Sequence, residues 1–151
     1  MCDNPNELPP NFFSRLVCDC PDAIVYADRA GRIRCWNAGA ARIFGYAEAD
    51  ALGMSLDLII PERLRGRHWQ GYGEVMAGRD SRYAEGALLA VPAVHKDGHQ
   101  LSVEFTILPF HDDSGALVGI AAVLRDVTAR FEETRALRRE LAALKGQADG
   151  R

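Results

Sequence analysis

Apolar and polar residues alternate most regularly from Gln100 to Leu108. Leu101, Val103, Phe105 and Ile107 share one face, and Gln100, Ser102, Glu104 and Thr106 share the other. A period of two is the mark of a strand with one side in a core. Glu85 to Val94 is another apolar stretch, and Pro92 within it implies an edge strand or a bulge. Lys96-Asp97-Gly98 predicts the hairpin turn between these two strands, and Asp113-Ser114-Gly115 a turn into a last strand over Leu117 to Leu124. Upstream, Ala23 to Asp28 reads as a strand, Asp28-Arg29-Ala30-Gly31 as a turn and Arg32 to Trp36 as the returning strand.

The spacing changes to helical between these strand groups. Asn37 is a good N-cap for a short helix through Phe44, with Gly45 as its stop. Residues 46–60 read as short helical pieces and loops. Pro61 suits the start of a longer helix that runs to about Ala77 or Gly78. Within it Leu64, His68, Gly71, Tyr72 and Val75 stand at i, i+4, i+7, i+8 and i+11, one face of an amphipathic helix. Residues 11–19 predict a short amphipathic helix ended by Pro21. Asp126 or Thr128 can cap a terminal helix to about Lys145. Two strands, helices, then three strands predict an α+β fold: a five-stranded antiparallel sheet with helices on one face and flanking N- and C-terminal helices. The divisions follow: 1–20 a tail and short helix, 21–127 the folded domain, 128–151 a helix and loose end.

Composition narrows the function. The chain has 151 residues and a net charge of −3, with no basic patch to bind nucleic acid. No apolar run is long enough for a membrane span, and the N-terminus lacks a signal peptide's order, so a cytoplasmic location is expected. Four cysteines, Cys2, Cys18, Cys20 and Cys35, contain no Cys-x-x-Cys and read as free thiols. Phosphate loop, nucleophile elbow and paired-carboxylate motifs are all absent, which argues against an enzyme.

His68 is the most informative candidate. On an inward helix face its ring nitrogens need partners, either a backbone carbonyl or a metal. His95 and His99 flank the Lys96-Asp97-Gly98 turn and can together touch a metal, but no third ligand is evident from the sequence. His111-Asp112-Asp113 reads as a solvated turn. Cys20-Pro21 is similar to a thiolate haem-regulatory dipeptide, a pairing too short to carry weight.

Several of these motifs together resemble the PAS sensor-domain family. They are Trp36-Asn37 with Ala40 and Phe44-Gly45-Tyr46, then Lys96-Asp97-Gly98, then Asp126-Val127-Thr128 at the junction with the last helix. Ala41 departs from the family, which often has glutamate there. The resemblance covers roughly residues 20–128. It implies a half-open sheet cupping a cavity, no catalysis, and output through flanking helices to a downstream signalling protein or effector domain.

Within that family, Pro61, Arg65, His68 and Tyr72 resemble the haem-binding helix of bacterial haem PAS oxygen sensors, with Tyr72 one residue later than usual. The implied cofactor is b-type haem, with His68 its axial metal ligand. The absence of Cys-x-x-Cys-His means that it would be held non-covalently. Leu64, Tyr72 and Val75 would wall the site, Gly71 and Gly73 would leave room for the macrocycle, and Arg63, Arg65 or Arg67 would meet the propionates. Alignment on Asp97-Gly98 places Leu89 where the oxygen sensors carry a ligand-binding arginine, and Ala87 where a related type carries a ligating methionine. Phe105 and Ile107 complete an apolar distal wall. Such a pocket lacks a donor for bound O2, so CO, NO or redox state is as good a signal. A flavin is disfavoured because residues 53–60 contain no cysteine. The alternative is a haem-free dimerisation or protein-interaction module, its cavity filled by Trp69, Tyr72 and Phe105 or holding a small organic molecule. Phe131, Leu137, Leu141 and Leu144, with Phe12, Phe13, Leu16 and Val17, form apolar seams that predict a parallel homodimer. No effector segment follows residue 128, so output passes to a partner or the chain is part of something larger.

Overall fold

The computed structural model describes residues 8–79 and 87–148. In chain order the elements are α1 (Phe12–Cys18), β1 (Ala23–Asp28), β2 (Ile33–Trp36), α2 (Ala38–Phe44), α3 (Glu48–Ala51), a 3-10 turn (Leu56–Leu58), α4 (Glu62–Met76), β3 (Leu89–Val94), β4 (Gln100–His111), β5 (Leu117–Asp126) and α5 (Thr128–Ala148). The five strands form one antiparallel sheet in the order β2-β1-β5-β4-β3. The α+β architecture expected from the strand and helix spacing is therefore the one observed.

Pairing register decides which side chains face the helices. Ala23, Val25 and Ala27 of β1 stand opposite Leu124, Ala122 and Ile120 of β5. Phe105 and Ile107 of β4 stand opposite Leu124 and Ala122, and Leu89 of β3 opposite Phe105. This inner face meets α2 and α3 in a core containing Trp36, Ile43, Phe44, Ala51 and Ile59. Its burial is the main stabilising term of the fold. β3 lies at the sheet edge, where Pro92 can be accommodated without a missing ladder bond.

Asn37 joins three elements. Its Oδ1 accepts the backbone N–H of Ala40 at 2.9 Å, capping α2, and that of Ile24 at 2.8 Å. Its Nδ2 donates to the carbonyls of Val17, Cys20 and Asp22 at 3.0, 3.2 and 3.0 Å. A buried amide is tolerated because every hydrogen-bonding position has a partner. Gly45 closes α2 at φ +82°, as its left-handed C-cap requires.

Some boundaries differ from those read in the sequence. Of the segment Glu85 to Val94, residues 85 and 86 lie outside the described residues, and the strand begins only at Leu89. β2 begins at Ile33, because Arg32 bridges Ser55 instead. His111 is the last residue of β4, paired with Leu117, and the turn is closed by Asp112. α5 runs to Ala148, one turn beyond the expected end, and none of its residues is buried. Cys18, Cys20 and Cys35 are free thiols; Cys2 lies outside the described residues.

Candidate functional site

α4 lies across the inner face of the sheet, anchored at both ends. At its start, the Arg65 guanidinium donates to the Ile60 carbonyl and the Asp57 carbonyl, each at 3.2 Å. The Trp69 Nε1–H donates to the Asp57 carboxylate at 2.7 Å. Farther along, the Tyr72 hydroxyl donates to the Asp28 carbonyl at 2.6 Å, at the end of β1. The Trp69 ring rests over Gly31, whose φ is +73° and whose missing Cβ would collide with that ring. The glycine thus serves both the turn and the seating of α4.

Leu64, His68, Gly71, Tyr72 and Val75 are all half-buried, so the predicted helix face does turn inward. His68 lies beside Trp69 and Tyr72, with ring centroids 4.9 and 5.8 Å away. Its Nδ1 is buried and has no hydrogen-bond partner among the described residues. Burial lowers the His68 pKa, with the Asp57 carboxylate pulling the other way. The ring is therefore neutral near pH 7, the form in which imidazole binds a metal. Burial also pushes the Tyr72 hydroxyl up, so it stays a protonated donor.

The other predicted site residues divide. Leu89, Phe105 and Ile107 are half-buried and share the inner sheet face, and Ala87 is half-buried just before β3. Phe105 packs against the core cluster. A Cβ at Gly71 would meet nothing within 4 Å, so open space adjoins the helix there. Gly73 is exposed and contributes no such room on the inner side. Arg65 was expected to meet a propionate. In the fold it donates to the carbonyls of Asp57 in the 3-10 turn and of Ile60 just after it, with the Asp57 carboxylate 3.9 Å away. Arg63 and Arg67 are exposed. Arg63 lines an open cleft of about 530 Å³ with Pro61, Glu62, Ala93, Val94, Gly98 and Gln100.

Asp57 and Gly31, which position α4, carry no signal in the periodicity. Trp69 and Met76 widen the inward stripe beyond the predicted one, and their spacing to Arg65, Tyr72 and Gly73 is the only hint.

Residues 19–132 match the model of the PAS fold. The chain belongs to the PAS family. It is 32% identical over 119 residues to an uncharacterised protein of Azorhizobium caulinodans, covering 78% of this chain and 16% of that protein. A shorter match, 38% over 48 residues, is to Sensor protein FixL of Bradyrhizobium diazoefficiens, covering 32% of this chain and 10% of that protein. The chain thus spans a small part of the length of each. Among solved structures, the PAS domain of a Colwellia psychrerythraea protein superposes with a TM-score of 0.67 at 24% identity, covering 78% of this chain and 95% of that one. PAS domains are generally sensory, non-catalytic modules of signalling proteins that often dimerise and connect to effector domains. Among the described residues of this one, no helix is long and apolar enough to cross a membrane.

Proposed function

We propose that this PAS domain acts in the cytoplasm as a sensor whose signal-accepting group is a b-type haem held by His68. The observation that carries the reading is the buried, unpartnered Nδ1 of a neutral imidazole on the inward face of α4. An orphaned buried nitrogen costs stability in a closed core, and a group bound at that nitrogen would offset the cost. Open space at Gly71 and the half-buried Leu64, Val75, Leu89, Phe105 and Ile107 supply apolar surroundings. Arg65 would keep the helix start in place rather than meet a propionate.

When bound, haem supplies an iron that takes a diatomic gas (O2, CO or NO) or changes oxidation state. The residues of this chain then set what is sensed. Leu89, Phe105 and Ile107 carry no hydrogen-bond donor, which favours CO, NO or redox state over stable retention of O2. Tyr72 and Trp69 hold α4 to β1 and to the 3-10 turn, so a displacement of His68 would pull on the sheet. β5 leads directly into α5, which carries exposed Phe131, Leu137, Leu141 and Leu144. We assign α5 as the output element, paired with a second copy in a parallel homodimer and read by a downstream effector.

A haem-free interaction module is the second reading. It is favoured by the seating of Trp69 on Gly31 and the locked Tyr72 hydroxyl, which fill part of the cup with aromatic rings. Reconstitution with hemin separates the two. A stable Soret shift in the wild type, lost in a folded His68→Ala variant, supports haem; no shift, or one unchanged by the substitution, supports the second reading. Sedimentation of the wild type and of Leu137→Glu/Leu141→Glu tests the pairing. A dimer that dissociates in the variant is expected, and a wild-type monomer or an indifferent dimer overturns it.

A further inference from the structure

We propose that His95, Asp97 and His99 form a surface site for a divalent transition cation of the zinc class. The three lie at the tip of the β3–β4 hairpin, against the C-terminal end of α2. The sequence carries the two histidines with Asp97 between them, and folding brings the three donors together. Asp97 Oδ1 lies 3.1 Å from His95 Nδ1 and 2.5 Å from His99 Nδ1. One ligand atom from each residue falls within 4.8 Å of the others. Zinc bonds of this type hold neighbouring ligand atoms roughly 3.3 Å apart in a tetrahedron. Small side-chain rotations bring these atoms to that spacing.

The backbone holds the cluster in place. His95 N–H donates to the His99 carbonyl at 3.0 Å, and Gly98 N–H to the His95 carbonyl at 2.9 Å. His99 N–H donates to Asp97 Oδ1 at 2.9 Å. Gly98 has φ +93°, which lets the chain turn tightly enough to stack the two imidazoles, with centroids 4.5 Å apart. The turn itself is fastened to the domain. Lys96 N–H donates to the Phe44 carbonyl at 2.9 Å, and the His95 ring lies against Gly45. The Lys96 ammonium sits over the Tyr46 ring, 5.6 Å from its centroid.

The donor chemistry selects the ion. Two imidazoles and one carboxylate suit zinc, cobalt, nickel or copper, whereas calcium and magnesium prefer all-oxygen shells. The Asp97 backbone N–H donates to His95 Nδ1 at 3.1 Å, so the one lone pair of that nitrogen is held by the turn and must leave this bond to take a cation. His99 Nδ1 faces the carboxylate. A cation at His99 Nδ1 needs the tautomer that carries its proton on Nε2. Asp97 and His99 side chains are 62% and 53% exposed, which leaves the remaining coordination positions to water.

The test uses untagged protein, with zinc titrated calorimetrically and cobalt followed by visible absorption. One saturable ion per chain is expected. His99→Gln should abolish binding, and Asp97→Asn, which keeps an acceptor for the turn, should weaken it more than about tenfold. His68→Ala and His111→Gln should bind as the wild type does. Paramagnetic shifts from cobalt should centre on residues 94–100. The proposal is overturned if the wild type shows no saturable binding, if His99→Gln binds unchanged, or if a sulfur-to-cobalt band places the ion on the cysteines.

Discussion

Replacing Thr128 with valine tests how α5 is joined to the sheet. The Thr128 hydroxyl accepts the Ser102 N–H at 3.0 Å and donates to Asp126 Oδ1 at 2.5 Å. Valine has nearly the same shape and can do neither. The Asp126 bond is exposed and adds little, so most of the cost falls on the half-buried Ser102 N–H left without a partner. That cost is about 2 kcal/mol, within the usual range for an unpaired buried donor. The helix has little else to hold it. Val127 N–H still donates to the Ser102 carbonyl at 2.9 Å, and Arg130 still pairs with Glu104 at 2.6 Å. The ion pair is largely exposed, and such pairs contribute under about 1 kcal/mol. The melting midpoint should fall by about 4–8 °C. The Ser102 amide should exchange up to about thirtyfold faster. Thr128→Ser keeps the oxygen and should stay within about 0.5 kcal/mol of wild type. Equal melting of the valine variant and wild type, with Ser102 still protected, would refute the assigned role of the hydroxyl.

Acid should weaken the fold first through His68. Burial depresses its folded pKa, so below about pH 6.5, the ordinary histidine value, the unfolded chain takes up a proton that the folded chain resists. Stability then falls as pH drops toward the folded pKa. Asp22 and Asp28, lowered by Arg125 and Arg34 respectively, stabilise the fold above about pH 4, their usual range, and lose that contribution only below it. Denaturant titrations from pH 7 to 5 should show a slope that His68→Gln reduces; an equal slope in both proteins would be evidence against a buried neutral ring. Gly31→Ala and Gly115→Ala form a second pair. Both positions have positive φ and incur about 1–2 kcal/mol of left-handed strain, but only Gly31 lies under the Trp69 ring, whereas Gly115 faces open space. Gly31→Ala should therefore be clearly the more damaging in urea melts, and equal losses would show that Trp69 moves aside freely.

Much of the fold is legible along the chain because strands and helices announce themselves over short distances. The alternation around Val103 and Phe105 survives as the inner face of β4, since a one-residue slip would turn that face to water. Asn37 and Gly45 bound α2 as their capping chemistry predicts. His68 can be placed on the inward side of α4 from helical phase alone, with Leu64, Tyr72 and Val75. Arg65 shows where such reasoning stops. Its position predicts a cation near the site, but its partners are set by Asp57 and Ile60, on a turn whose docking has no periodic signal.

The same division runs through the molecule. Element types, caps, turns and inward faces depend on neighbours within a few residues, so the sequence by itself determined them. Pairings between distant segments depend on how those elements dock. The Trp69 ring on Gly31, the Tyr72 hydroxyl on the Asp28 carbonyl and the Thr128 hydroxyl on the Ser102 amide are of this kind. So is the buried His68 nitrogen without a partner, because its isolation is a property of everything packed around it. At the β3–β4 tip the separation is shorter but the rule holds. The order His95, Asp97, His99 is plain in the chain, yet only the tight turn at Gly98 and the contact with Gly45 bring the three donors together.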